Sequence, residues 1–382
     1  MKTKKLLSVL GDIDDKYIIE AEAKAKKQKK PLLLKISAIA ACLAVVILSI
    51  VVLQSEPQLT TLTLSEEDKA FGFEGYFAHS IDELKNNNPW SENSKLKALP
   101  VYSNTFYKYT EDWIVTEPDT DAMKSILLET AEALSMDAEK IPVSETIASD
   151  GLEIYSYYIE NENYKVEVNS WMQVNIFLKK TDALPDGYTL HCNASYDELY
   201  KTAEFLKNEY KELLNMKNPA IDISLGDYTV DGDRLWYVSF YENSSDLSEA
   251  IINYNFSRIY FYGDDNGELC QISFSCADKE EKLGDYPIID EQEALALLID
   301  GKYMTSVPEK FPGRDCVKKV ELVYRNTNRD NVFMPYYKFY VQVDITNASS
   351  SELGLVDFGI YYVPAVEGRY IENMPQWDGS FN

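Results

Sequence analysis

The side chains with most chemical reach in this 382-residue chain are two histidines, His79 and His191, and five cysteines, of which Cys192 follows His191 directly. A histidine general base or a zinc site needs one of these imidazoles with partners close in space. His191 and Cys192 form a thiol–imidazole pair only if their side chains meet, and neighbours on a strand point to opposite faces. Asp264, Asp265, Asn266 and Glu268 resemble a fragment of a calcium loop. The full spacing of alternating acids before a glycine is absent, and a hairpin turn favours the same residue types. Asp231-Gly232-Asp233 reads the same way. The chain carries no GxSxG, HExxH, P-loop or GxGxxG signature. The expectation is therefore a protein that is not an enzyme, with no catalytic, cofactor-binding or metal-ligating residue and no cofactor.

Twenty-eight tyrosines could line a groove for a peptide or a sugar. Strands such as Tyr155-Ser156-Tyr157-Tyr158 and Tyr260-Phe261-Tyr262 are rich in tyrosine in any case, because aromatics suit a half-buried pleated surface. Cys192, Cys270, Cys276 and Cys316 allow three pairings. On one extended strand Cys270 and Cys276 would lie about 20 Å apart, beyond disulfide reach. Either the chain turns between them, each pairs elsewhere, or all four are free thiols. The sequons at Asn193, Asn243, Asn255 and Asn347 matter only in a eukaryotic secretory pathway.

The element that places all of this is an apolar run from Ile36 to Leu53. As a helix it rises about 27 Å, enough to cross a hydrocarbon core of roughly 30 Å. With Leu32 to Leu34 the transmembrane helix covers residues 32–53, and Lys35 can snorkel near its end. Ile39-Ala40-Ala41-Cys42 resembles a lipobox, but the apolar run continues past it; Cys42 also fits as a small residue of the membrane helix. The first 35 residues hold ten lysines against five acids, so a chain of net charge −26 carries −31 beyond the span. Short basic flanks stay inside, which predicts a cytoplasmic tail (1–31) at the cell membrane and an extracellular remainder. The acidity argues against nucleic acid and anionic wall polymers as partners.

Within the tail, Leu6, Leu10, Ile13 and Tyr17 fall on one helical face and are the candidate partner-binding residues. That face can dock a cytoplasmic protein, lie on the inner leaflet, or be part of a frayed anchor; the lysines favour anionic headgroups in each case. Beyond the span, 45% apolar and 13% aromatic composition supplies a core rather than a disordered stalk. Residues 54–120 read as linker and first part of the ectodomain. Three α+β units are expected to follow, at 121–190, 191–285 and 286–382. The first has a helix from Asp121 to Met136 and strands at Glu153–Glu160, Tyr164–Asn169 and Met172–Lys179. The second opens on a Ser195–Glu198 capping box and a helix to about Met216, with strands at Leu235–Tyr241, Ile251–Tyr262 and Leu269–Phe274. The third opens on Asp290, stops its helix at Gly301, and has strands at Val317–Tyr324, Tyr336–Asp344 and Val356–Val363. A helix followed by a meander, three times, means an α+β fold with antiparallel sheets.

Leu6-Leu7-Ser8-Val9-Leu10-Gly11-Asp12-Ile13-Asp14-Asp15, Phe71-Gly72-Phe73-Glu74-Gly75-Tyr76, Leu99-Pro100-Val101-Tyr102 and the end from Tyr361 to Gly379 resemble uncharacterised membrane-anchored proteins of Gram-positive, Clostridia-type gut bacteria. That group brings no activity with it. The segment from Pro287 to Leu295 between strands resembles the PepSY-like units of kinase regulators of the YycH/YycI type. This resemblance implies an outer α+β domain that regulates a sensor kinase, and no functional residue is carried over. The resulting expectation is a single-pass membrane protein whose extracytoplasmic domain binds or senses in envelope signalling. Its partners are the lipid bilayer and a membrane kinase or other envelope protein. One alternative is an anti-sigma-like regulator whose tail holds a cytoplasmic sigma factor; another is an anchored hydrolase with a carboxylate pair held at divergent pKa values.

Overall fold

In this computed structural model the structure describes residues 59–64, 77–79, 87–104, 119–138, 140–147, 155–182, 184–228, 234–276, 281–305, 307–326, 330–344 and 353–379. The candidate tail residues Leu6, Leu10, Ile13 and Tyr17, the run 32–53 and Asp231–Asp233 lie outside them. Among the described residues no helix is long and apolar enough to cross a membrane.

In chain order the elements begin with β1 (Phe77–His79), β2 (Ala98–Ser103), α1 (Thr120–Ala133), β3 (Ser144–Ile147), β4 (Tyr155–Glu160), β5 (Tyr164–Asn169) and β6 (Gln173–Asp182). Next come α2 (Tyr196–Glu209), α3 (Lys211–Leu214), β7 (Pro219–Tyr228), β8 (Arg234–Glu242), α4 (Leu247–Phe256), β9 (Ile259–Gly263), β10 (Leu269–Ser275) and β11 (Lys282–Pro287). The last are α5 (Glu291–Ile299), β12 (Met304–Thr305), β13 (Val317–Tyr324), β14 (Val332–Phe333), β15 (Pro335–Gln342) and β16 (Val356–Pro364).

Short polar residues fix the helix starts. Asp119 accepts from the Ala122 amide, and Asp246 accepts from those of Ser248 and Glu249. Ser195 with Glu198 and Asp290 with Glu293 close two reciprocal capping boxes, as their spacing predicts. Past α5, Gly301 takes φ +81°; its amide donates to the Leu298 carbonyl and the Lys302 amide to that of Leu297. These are the paired bonds of a Schellman stop. At the end of α1 a serine does the same: Ser135 holds φ 56° while the Met136 amide donates to the Ala131 carbonyl.

The second unit departs from the pattern in three places. Ile251–Tyr262, expected as a single strand, is helix α4 followed by strand β9. Ala250, Ile251, Ile252, Tyr254 and Phe256 are all buried, because α4 packs against both β8 and β13. A helix covered on several sides loses the amphipathic period, and its β-branched and aromatic residues then read as strand. The second-unit helix also breaks at Tyr210 into α2 and α3, and strand β7 lies in a stretch read as neither helix nor strand. In the stretch read as linker and first part of the ectodomain, Leu62 and Leu64 are buried, and Leu62 forms a parallel bridge with Ile371.

The main sheet runs β13-β15-β16-β1-β7-β8-β9-β10-β6-β5-β4-β3, with β12 joined to β16, and every pair in it is antiparallel. A smaller sheet, β11-β2-β14, is antiparallel too. The chain is thus α+β with antiparallel sheets. Strands β15 and β16 are buried on both faces. Phe339, Val341, Tyr361 and Val363 face the core made with α4 and α5; Tyr336, Phe358, Ile360 and Tyr362 face one that also takes in Leu62, Val101 and Tyr286. Strands β4 to β10 differ: α1, α2 and α3 close over one face, on Ile159, Val166, Ile176, Ile272, Phe261 and Val238. Alternation then assigns the polar residues to the other face.

Replacing Ser195 with Ala is expected to cost about 1 kcal/mol in chemical denaturation, the usual cost of a lost helix cap. The Ser195 amide and hydroxyl hold the Glu198 carboxyl below its ordinary value. A depressed carboxylate adds stability that is present above the unfolded-state value and lost as pH falls through the folded one. Ser195→Ala is therefore predicted to flatten the acid limb of a stability–pH curve, which a melting series across the carboxylate range would read.

Candidate functional site

The polar face of the main sheet sorts into rows by register. Tyr158, Glu167, Asn175, Ser273, Tyr260, Ser239 and Asp222 stand opposite one another in turn, from β4 to β7. At about 4.8 Å per strand this row is roughly 29 Å long. A second row holds Glu160, Lys165, Phe177, Gln271 and Tyr262. The Lys165 ammonium lies 4.6 Å from the Tyr158 ring centroid and 2.6 Å from Glu167. The Gln271 amide donates to Asn175 Oδ1 at 3.1 Å, and the Tyr260 and Tyr262 rings stack at 6.2 Å.

The first row descends into the protein and ends on a buried charge pair. The Asp222 side chain has no exposed surface. Its Oδ1 accepts from the Asn87 amide at 2.9 Å, and its Oδ2 accepts from Arg258 Nη1 at 3.1 Å and from Ser239 Oγ at 3.4 Å. The guanidinium lies 4.3 Å from the Tyr254 ring centroid, 5.0 Å from that of Tyr260 and 5.9 Å from that of Tyr237. Arg258 also donates to the Tyr237 hydroxyl at 3.3 Å. Burial pushes the phenols of Tyr237, Tyr260 and Tyr262 up, with the Arg258 charge pulling more weakly the other way. They stay neutral near pH 7. What the row presents is fixed hydrogen-bonding groups, planar amides and ring edges beside a permanent cation, an arrangement suited to holding a polar ligand rather than to nucleophilic attack.

The sequence candidates fall elsewhere. His191 and Cys192 sit in a turn closed by the Ala194 amide on the His191 carbonyl, not on a strand, so their side chains do meet, with Sγ 3.8 Å from Nδ1. The Asn193 amide already donates to that Nδ1 at 3.0 Å, which takes up the lone pair a thiol would need. Asp264 caps its own hairpin turn, accepting from the Asn266 and Glu268 amides. No disulfide joins Cys192, Cys270, Cys276 or Cys316 to another of the four. Asn255 is spent inside the fold, its Oδ1 accepting from the Tyr324 amide. Among the described residues Glu291 is the carboxylate raised above its ordinary value, by burial first and then by Glu92 and Asp290. It lies at the start of α5, where Asp290 serves as the helix cap. His79 lies on β1 opposite Val356 and Asp227.

Sequence reading missed Arg258 and Asp222. Arg258 was hidden inside the stretch taken as one strand, and Asp222 lies on the unassigned strand β7.

A second concavity lies on the helical side, where α1 ends against α2 and α3. It is half-open, encloses about 700 Å³ and is walled by Leu134, Tyr164, Leu184, Phe205, Tyr210 and Leu213.

The chain matches no protein-family model and no curated protein. In structure it is similar to an uncharacterized protein from Eubacterium rectale, at 13% identity and a TM-score of 0.35 over 72% of this chain and 85% of that one. It is also similar to the YpeB C-terminal domain of Bacillus megaterium, at 12% identity and a TM-score of 0.27 over 66% of this chain and 95% of that one. The α+β class rests on the strand register itself.

Removing one partner of a buried pair leaves the other charge uncompensated, at about 3–5 kcal/mol. Asp222→Ala is therefore predicted to lose about that much stability in urea denaturation. The double variant Asp222→Ala, Arg258→Leu should recover a large part of the loss.

Proposed function

We propose that this chain is a membrane-tethered regulator. The basic tail is cytoplasmic, residues 32–53 cross the bilayer, and the part from Leu59 onward works outside as a binding and sensing module in envelope signalling, without catalysis. The helix-on-meander arrangement supports reading the outer part as PepSY-like units. The observation that carries the proposal is the graded row from Tyr158 to Asp222. It spans seven strands, and the cation at its deep end is clamped by Asp222 and three tyrosine rings. A surface of immobilised polar groups and neutral phenols favours recognition, because ordering costs are met before the ligand arrives. The partner is a membrane kinase or another envelope protein.

In-cell crosslinking with affinity capture of the full-length protein tests this. The same partner is expected with the native chain, with residues 1–30 replaced by a neutral tail, and with Leu10→Asp. It is expected to be lost with Tyr262→Ala, Gln271→Ala, while the melting temperature stays near that of the native protein. A partner lost with the tail and kept by the sheet variant would overturn the proposal in favour of the anti-sigma-like reading.

A further inference from the structure

The hollow between the end of α1 and the α2–α3 corner is independent of the polar sheet face, and its chemistry is different. Most of its lining side chains are apolar or aromatic, with Ser135, Glu209 and Glu212 among them. Tyr210 is held by an edge-on contact with Phe261 at 5.4 Å, and Phe205 lies 4.8 Å from Tyr188. A shallower hollow of about 440 Å³ continues from it along α2, sharing Phe205 and Glu209 and adding Tyr188 and Lys201. From Lys201 to Glu209 the groove follows about 12 Å of α2 before the corner at Tyr210, or roughly two turns of a partner helix laid beside it.

Two charged residues line the deeper hollow, Glu209 and Glu212, and both are acidic. Helix α1 ends in it at Leu134 and Ser135 with no basic residue in its last turn, and α2 ends in it at Glu209 and Tyr210. A helix C-terminus carries a partial negative charge of about half a unit. Of the basic groups nearby, Lys207 pairs with Glu204 at 2.6 Å, Lys201 donates to the Gly187 carbonyl at 2.8 Å beneath the Tyr188 ring, and the exposed Lys211 lines neither hollow. Glu209 and Glu212, both exposed on the rim, make no ion pair among the described residues.

The geometry points to a cationic amphipathic polypeptide segment as the occupant of this groove. Its aliphatic side chains enter the hollow, and its lysines or arginines meet Glu209, Glu212 and the two helix ends. An apolar groove with a rim of one charge is how amphipathic helices of opposite charge are held. A volume of about 700 Å³ lies in the range of pockets that take up several large side chains. This recognition can fail while the sheet-face reading stands, and the reverse, because neither Tyr262 nor Gln271 lines the groove.

The test uses the full chain in detergent and a labelled leucine–lysine amphipathic peptide of about 14 residues, long enough for the groove. Saturable binding is expected, weakening as salt rises from about 0.05 M to about 0.5 M. The matching leucine–glutamate peptide should not bind. Because an acidic protein attracts any cation, the deciding comparison is between variants of equal net charge. Glu209→Lys, Glu212→Lys should weaken binding about tenfold, whereas Asp300→Lys, Asp315→Lys, near α5 and outside the lining of both hollows, should leave it within about twofold. Phe205→Glu should abolish binding, with the melting curve showing that the protein remains folded. Equal weakening by both lysine pairs would overturn the proposal. So would equal competition by a simple long-chain amine, which would make the occupant a small cation.

Discussion

A carboxylate with no exposed surface has to be neutralised where it lies, and Asp222 is such a group. From its place on β7 it meets partners from three places: Arg258 from the corner between α4 and β9, Ser239 from β8, and the main-chain amide of Asn87 from the segment before Trp90. Arg258 is positioned in turn by Tyr254 on α4, Tyr260 on β9 and Tyr237 on β8. Satisfying this one charge fixes how the middle of the main sheet meets the material that follows. Helix α4 reinforces the joint on its other side, where Asn255 accepts from the Tyr324 amide on β13 and Phe256 packs edge-on against Tyr324 at 5.2 Å.

From that joint the two halves of the sheet are built differently. On the β15–β16 side both faces are covered, and a second buried pair, Arg325 with Asp330 at 3.3 Å, lies close to the Tyr336 and Tyr362 rings. That side has little surface to offer a ligand. On the β4–β10 side α1, α2 and α3 cover one face; α4 lies against the other at β8, and beyond it that face carries tyrosines, amides and charges in register. The polar rows lie where the fold leaves a face open, and the joint at Asp222 anchors their deep end.

Local features of this fold were legible in the sequence and distant ones were not. Ser195–Glu198 and Asp290–Glu293 could be read because a capping box is complete within four residues, and Gly301 because a left-handed stop favours glycine. Strand β13 spans Val317–Tyr324, the bounds read from the sequence. Helix α4 was not legible, since burial on several sides erases the period that marks a helix. The polar row escaped for a different reason. Each member, such as Asn175 or Ser273, is an ordinary strand residue, and only the pairing of β6 with β10 brings the two face to face. The groove beside α2 likewise depends on where α1 ends relative to Phe205 and Leu213, which no local pattern encodes.

Native-state hydrogen exchange followed residue by residue would show whether the joint at Asp222 unites the halves. Amides of Ile223, Val238 and Phe261 on one side and of Phe339 and Ile360 on the other should open with one free energy and one denaturant dependence, as a single cooperative unit does. Two separate tiers, with the β7–β10 strands opening well before β15 and β16, would contradict a sheet held as one body by Asp222, Arg258 and helix α4.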